Sequence, residues 1–281
     1  MHATRTAVGL PWVERVLGHR VDPVTKARAA EAVVERALGG EPGAYVCLTN
    51  VHTTVESQRS AAFRTAVDGA YLSVPDGMPL AWILRRRGHT ETEKVTGIEF
   101  IPVVASTGLD RGLRHFFYGG APGVAVRAGL RLEELVPGVS IVGAASPPFA
   151  DADGGWPVEE LERELRRTRP HVLWIGLGAP KQELLMAELA ERVDVPVMVG
   201  VGAAFDYLAG TKAAAPNALR HIGLEWLFRL AVEPRRLARR YILGNAIFVW
   251  LLARDALRRR LVSLARHERT ERVGARDRNS M

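Results

Sequence analysis

A single cysteine stands in 281 residues. Cys47 lies inside an apolar run, so no disulfide within the chain can staple the fold, and a reducing, cytoplasmic setting fits. Long apolar runs are missing as well. No stretch reaches the roughly 18–20 uninterrupted apolar residues that cross a bilayer. Met1–Leu10 has no apolar segment of the kind a signal peptide carries, so none is expected. The eight histidines are scattered, with no pair four apart and no HExxH, and no metal cluster can be read from them. GxSxG and GxxxxGKS/T are also absent, which disfavours a serine hydrolase and NTP hydrolysis. One region lacks lysine altogether. From Arg220 to Met281 there are 15 arginines against 6 acids, a net of +9, while the whole chain carries +7 and residues 1–219 therefore −2.

What is present reads as a packed protein, with 47% hydrophobic and 25% charged residues. The charge asymmetry divides it into an expected core over residues 1–219 and an Arg-rich helical appendage over 220–281. A basic tail is either a solvated helical face or a surface for an anionic partner: phosphate, lipid headgroups or nucleic acid.

Short β-branched runs alternate with helical patterns. Strands are expected over Ala44–Thr49, Ala70–Val74, Leu113–Tyr118, Val139–Gly143, His171–Ile175 and Val195–Val199. Helices are expected over Val24–Ala37, Val51–Val67, Met78–Arg87, Gly97–Thr107, Gly123–Leu135, Val158–Arg167, Lys181–Arg192 and Asn217–Val232. Such alternation predicts an α/β fold: a mostly parallel, Rossmann-like sheet with helices on both faces. Ligands of such sheets bind beyond the carboxyl ends of the strands. The residues that follow the strands are Asn50 and His52, then Asp76 and Gly77, then Gly119, Gly120 and Gly123. After them come Gly178, Lys181 and Gln182, then Gly200, Gly202 and Asp206.

Each motif has a functional and a plain reading. FYGGAPGVA (Phe117–Ala125) is a strand, a glycine turn and a helix start, either an anion cradle or a tight turn. The next strand ends Gly143-Ala144-Ala145 with no acid, which disfavours a nicotinamide cofactor. In GLGAPKQE (Gly176–Glu183), Lys181 sits in a first helical turn, where a cation opposes the helix dipole unless an anion lies near. In VPDGMPLAW (Val74–Trp82), Asp76 is a candidate general base or a helix cap. Asp206 is a candidate partner for a sugar hydroxyl or a capping acid. Arg229, Arg236 and Arg239 would share one face if their helix continued past Pro234, and three guanidiniums suit a pyrophosphate. Tyr241–Ala253 followed by Arg258, Arg259 and Arg260 suits an interfacial helix, or a dimer or core helix. Asp151-Ala152-Asp153 is formally a DxD pair, but it falls in a long loop and reads as solvated.

These motifs, in this order from about Trp12 to Trp250, resemble the WecG/TagA/CpsF family, glycosyltransferase family 26. The specific pieces are TNVHTTVES, VPDGMPLAW, FYGGAPGVA, GLGAPKQE and the VGVGAAFDYLAG…GLEWLFRL…EPRRLARRY block. The resemblance implies an inverting, metal-independent transfer of a hexose or N-acetylhexosamine-type sugar from a UDP-sugar, without cofactor, to a polyprenyl-diphosphate-linked acceptor in cell-wall or exopolysaccharide synthesis. It implies Asp76 as catalytic base, and a pocket lined by Asn50, Gly77, Lys181 and Gln182. Gly119, Gly120, Gly178, Gly202 and Asp206 would face the nucleotide. Arg229, Arg236 and Arg239 would neutralise the diphosphate from an appendage that closes on the site at the inner face of the cell membrane. A homo-oligomer is compatible with this. Two positions depart from the family pattern: Leu48 stands where many members have threonine, and Ala214 where many have a polar residue. Ser146–Pro148 looks like a subgroup variant. The rival readings are a transferase with a soluble acceptor and a non-catalytic nucleotide- or nucleic-acid-binding protein with an arginine arm.

Overall fold

A computed structural model describes residues 13–147, 158–216, 219, 223–238 and 242–258. The chain enters through a hairpin that the sequence pattern did not disclose. Strands β1 (Glu14–Val16) and β2 (His19–Val21) pair antiparallel. Leu17 and Gly18 turn between them with φ of 54° and 78°. Both values are positive, as a primed hairpin turn requires, but Leu-Gly lacks the Asn/Asp-Gly signature that usually marks one. The hairpin seats on the edge of the main sheet. Asp22 exchanges hydrogen bonds with Ser73, and Arg20 Nε donates to Asp22 Oδ1 at 3.0 Å within that buried contact.

The main sheet has six strands: β3 (Ala44–Thr49), β4 (Leu72–Pro75), β5 (Arg114–Gly119), β6 (Ser140–Ala145), β7 (Val172–Gly176) and β8 (Val197–Gly200). Their order is β4-β3-β8-β7-β5-β6 and every pairing is parallel. All six expected strands are present, each within a few residues of its expected span. Strands covered on both faces read as nearly continuous apolar runs, and the side chains sort by the period of two. Val46 and Leu48 join one core with Trp174, Val199 and helices α1 (Lys26–Leu38), α5 (Gly97–Thr107), α6 (Val124–Leu135) and α9 (Ala204–Leu208). Tyr45 and Cys47 join the opposite core with Phe116, Met198 and helices α3 (Ala61–Asp68), α7 (Val158–Thr168) and α8 (Lys181–Leu189).

Two expected helices differ. The stretch expected as Val51–Val67 is α2 (Val51–Glu56) and α3, because Ser60 accepts from the Phe63 N–H at 3.1 Å and starts a new helix. The expected Asn217–Val232 helix is described as α10 (Glu225–Val232), with Asn217 itself outside the described residues. It does not continue past Pro234. Glu233 leaves helical geometry (φ −127°, ψ 59°), as a residue before proline is driven to do, and α11 (Pro234–Ala238) begins anew. The condition for a shared arginine face, one helix running on past Pro234, is therefore not met, while Arg239 and the side chain of Arg236 lie outside the described residues.

A further helix, α12, covers residues 244–258. Its Phe248 sinks into a third apolar cluster with Val16, Val21, Val55, Leu80 and Leu84, which come from the hairpin, α2 and α4 (Met78–Arg86). Among the described residues, no helix is long and apolar enough to cross a membrane.

Candidate active site

A pocket of about 990 Å³ opens at the carboxyl ends of the central strands. Asn50 and Asp76 come from the ends of β3 and β4, Gly178 and Lys181 from the turn after β7, and Gly202 and Asp206 from the turn after β8. Tyr207 and Arg229 also line it, as do Phe248 and Val249 of α12.

Asp76 is set by the strand before it. Its N–H donates to the Thr49 carbonyl at 2.7 Å, carrying the β3–β4 ladder one residue past the strand. Its carboxylate accepts from Asn50 Nδ2 at 3.2 Å. Asp76 does not cap the following helix. The N-cap of α4 is Gly77, whose φ of 124° is reached by glycine at little cost, and no side chain caps there. Asn50 serves two elements at once. Its Oδ1 accepts from the Thr53 N–H at 3.2 Å while Thr53 Oγ1 accepts from the Asn50 N–H at 2.8 Å, a capping box that starts α2. The oxygen fixes the helix and the NH₂ is left for Asp76.

The electrostatics at Asp76 are mixed. Burial pushes its carboxyl up to about 6, and the nearby Glu225 pushes the same way; Arg229, the Asn50 hydrogen bond and Lys94 pull it down. Burial disfavours the charged form more than these partners restore it. A carboxyl held near 6 is ionised at neutral pH yet basic enough to take a proton. Around it, Glu225 is ion-paired with Arg229 four residues on, and with Lys94 at 3.6 Å. The Arg229 guanidinium lies 4.6 Å from the centre of the Tyr207 ring. Lys212 bridges Asp206 at 3.2 Å and Glu233 at 3.3 Å. Residues 225–233 are thus tied to the sheet end by charged side chains that line or border the pocket.

Gln182 lines the pocket and also carries a second task that its sequence context did not signal. It is buried, and its Oε1 accepts from both the Gly178 N–H at 3.1 Å and the Gly202 N–H at 2.9 Å. Its Nε2 donates to Glu183 Oε1 at 3.0 Å. The amide joins the turns after β7 and β8. Gly119 differs from expectation. It does not line the pocket, and a Cβ there would meet the Gly176 backbone at 2.6–2.8 Å, so it serves the close packing of two strand ends. Gly120, Gly178, Gly202, Lys181 and Asp206 do line the pocket. Of the three arginines, only Arg229 is placed there. Arg239 and the side chain of Arg236 lie outside the described residues, as do Asp151 and Asp153.

Sequence reading missed Lys94, Glu225, Glu183, Tyr207 and Lys212. Glu225 and Arg229 are four apart on one helix, a legible ion-pair spacing. Lys94 lies in an irregular segment before α5 and carried no signal of its own.

Residues 14–262 match the model of the Glycosyl transferase WecG/TagA/CpsF family. The chain belongs to this family. It is therefore a sugar transferase, and the motifs that carried the resemblance are those that converge on the pocket. A relative in Bacillus spizizenii (strain ATCC 23059 / NRRL B-14472 / W23) is 24% identical over 199 residues, covering 71% of this chain and 75% of its own. That relative is an N-acetylglucosaminyldiphosphoundecaprenol N-acetyl-beta-D-mannosaminyltransferase. Most of the family match falls on the α/β core, and it extends through α12.

Proposed function

We propose that this family member transfers an N-acetylhexosamine-type or hexose sugar from a UDP-sugar to a polyprenyl-diphosphate-linked acceptor in cell-wall or exopolysaccharide synthesis, with inversion and without a metal. The observation that carries the reading is Asp76: a carboxyl held near 6 at the end of β4, oriented by Asn50, in a pocket that also presents Arg229 and Lys94. Asp76 takes the proton of the acceptor hydroxyl. The hydroxyl oxygen attacks the anomeric carbon, and the bond from that carbon to the diphosphate oxygen breaks with its electron pair leaving on UDP. General-base assistance of this kind contributes roughly 10²–10⁴-fold. Arg229 and Lys94 stabilise the charge that develops on the leaving diphosphate. The name of the Bacillus relative, whose acceptor carries a diphosphate on a polyprenol, supports the acceptor class.

The same reading places the protein at the inner face of the membrane. Val249, Trp250 and Leu257 are exposed on α12 and Ile242 is exposed just before it, and Arg254 stacks on Trp250 at 4.7 Å. An apolar stripe with arginines beside it suits the headgroup boundary. The test is a panel of UDP-sugars, UDP-N-acetylmannosamine first, offered with an N-acetylglucosaminyl-diphospholipid and with soluble sugar acceptors. Transfer to the lipid acceptor that Asp76→Asn nearly abolishes, with UDP binding kept, is expected. Near-wild-type turnover by Asp76→Asn would overturn the base assignment. Transfer to soluble acceptors alone would overturn the acceptor class.

A further inference from the structure

Glu225 is a carboxylate in a pocket read as binding a diphosphate. An anion there works against an anionic ligand, so its presence needs a physical reason. The side chain is well covered (16% exposed) and contacts two cations from separate parts of the fold: Arg229 on its own helix, and Lys94 at 3.6 Å from the segment before α5. Both cations line the same pocket as Asp76. Among the described residues, the side-chain hydrogen bond that reaches the Asp76 carboxylate comes from the neutral Asn50.

We propose that Glu225 is a positioning residue for the transfer: it spans Lys94 and Arg229 and keeps both cations from pairing directly with Asp76. The inference rests on the reading of Asp76 as the base. A carboxylate salt-bridged to an arginine or a lysine is a weak base, because the opposite charge favours its ionised form. The site nevertheless needs positive charge for the leaving diphosphate. Glu225 reconciles the two demands by holding the cations in the pocket while occupying their charge. A diphosphate carries more negative charge than one carboxylate and binds guanidinium in a bidentate manner, so it can share or take over these partners as it arrives. The groups that act on Asp76 are Arg229 and Glu225 from α10, Lys94 from the segment before α5, and Asn50 from the start of α2. Of these, only Glu225 pushes the Asp76 carboxyl upward, together with burial.

The experiment compares kcat/KM against pH for wild type, Glu225→Gln and Lys94→Met, with UDP-N-acetylmannosamine and the N-acetylglucosaminyl-diphospholipid, alongside calorimetric titration with UDP. Glu225→Gln removes the counter-charge and releases both cations toward Asp76. Its acidic limb moves down by about one pH unit, its plateau rate falls several-fold, and UDP binds at least as tightly as to wild type. Lys94→Met removes a cation that holds Asp76 down, and its limb moves up. A merely structural bridge would lower activity equally at every pH and leave both limbs in place, which overturns the proposal. If Glu225→Gln fails to fold, the upward shift in Lys94→Met carries the test, and its absence overturns the proposal. If Asp76→Asn keeps its turnover, the base assignment itself falls. If Asp76→Asn is silent while both limbs stay at the wild-type position, the role of Glu225 alone falls.

Discussion

Asn50 and Asp76 meet through one hydrogen bond, Nδ2 to Oδ2 at 3.2 Å, while the other end of the same Asn50 amide caps α2. The residue type follows from this double duty. Serine or aspartate can cap a helix, but neither also offers an NH₂ to a carboxylate. Asn50→Asp should keep the cap and set a second carboxylate against Asp76. The Asp76 carboxyl then rises further, as like charges require. The acidic limb of the pH–rate profile should move up, and the thermal midpoint at neutral pH should fall, because a carboxyl raised further in the folded state lowers stability there. Asn50→Ala should instead lose the cap, costing about 0.5–2 kcal/mol in denaturant unfolding.

Asp76 should also leave a mark on stability. Its folded carboxyl is raised from 3.8 to about 6. Between about pH 4 and pH 6 the native state holds a proton that the unfolded chain has released, so stability falls as pH rises through that window and stays lower above it. The cost at neutral pH is about 1–3 kcal/mol. Asp76→Asn keeps the shape and removes the charge. In urea unfolding it should match wild type below about pH 4 and exceed it above pH 6. A variant equally or less stable at pH 7.5 would contradict the raised carboxyl.

Gln182 offers a prediction that separates lining a pocket from building one. Gln182→Leu orphans the Gly178 and Gly202 N–H groups together with its partner oxygen on Glu183. Unmade hydrogen bonds at buried groups cost about 1–3 kcal/mol each, less where water enters. Turnover should drop more than tenfold, and amide exchange at Gly178 and Gly202 should accelerate. Exchange at wild-type rates there would show that the amide does not hold the two turns.

The two faces of α12 should behave differently. Phe248→Ala opens a cavity in the cluster with Val16, Val55 and Leu80, and should destabilise by about 3 kcal/mol. Ile242→Asp, just before α12, and Trp250→Asp, on it, change exposed positions. They should leave the thermal midpoint unchanged and reduce flotation with vesicles of anionic phospholipid. Flotation equal to wild type in the double variant would remove the exposed stripe as the membrane contact. Truncation at residue 234 is a poor substitute, because it strips Phe248 from the core.

The sheet was legible because its strands are buried on both faces, and doubly buried strands announce themselves as short apolar runs such as Ala44–Thr49. The hairpin was not, since three-residue strands joined by Leu17-Gly18 carry neither length nor a recognised turn signal. The break at Ser60 was also hidden. A serine within a helical pattern is either a passenger or a cap, and only the path of the chain decides which.

For the site, local sequence determined which chemical groups follow each strand: Asn50, Asp76 and the glycines after β5, β7 and β8. Strand direction then delivers them to one edge, because parallel strands place all their carboxyl ends together. Sequence could not determine how those groups divide their work. Whether Asp76 caps a helix or faces a pocket, and whether Gln182 meets a ligand or ties two turns, depends on partners brought in from distant segments. The Lys94–Glu225 ion pair shows the reason most plainly. Charges far apart in the chain interact only when folding brings them within a few ångströms, and no spacing in the sequence records that distance.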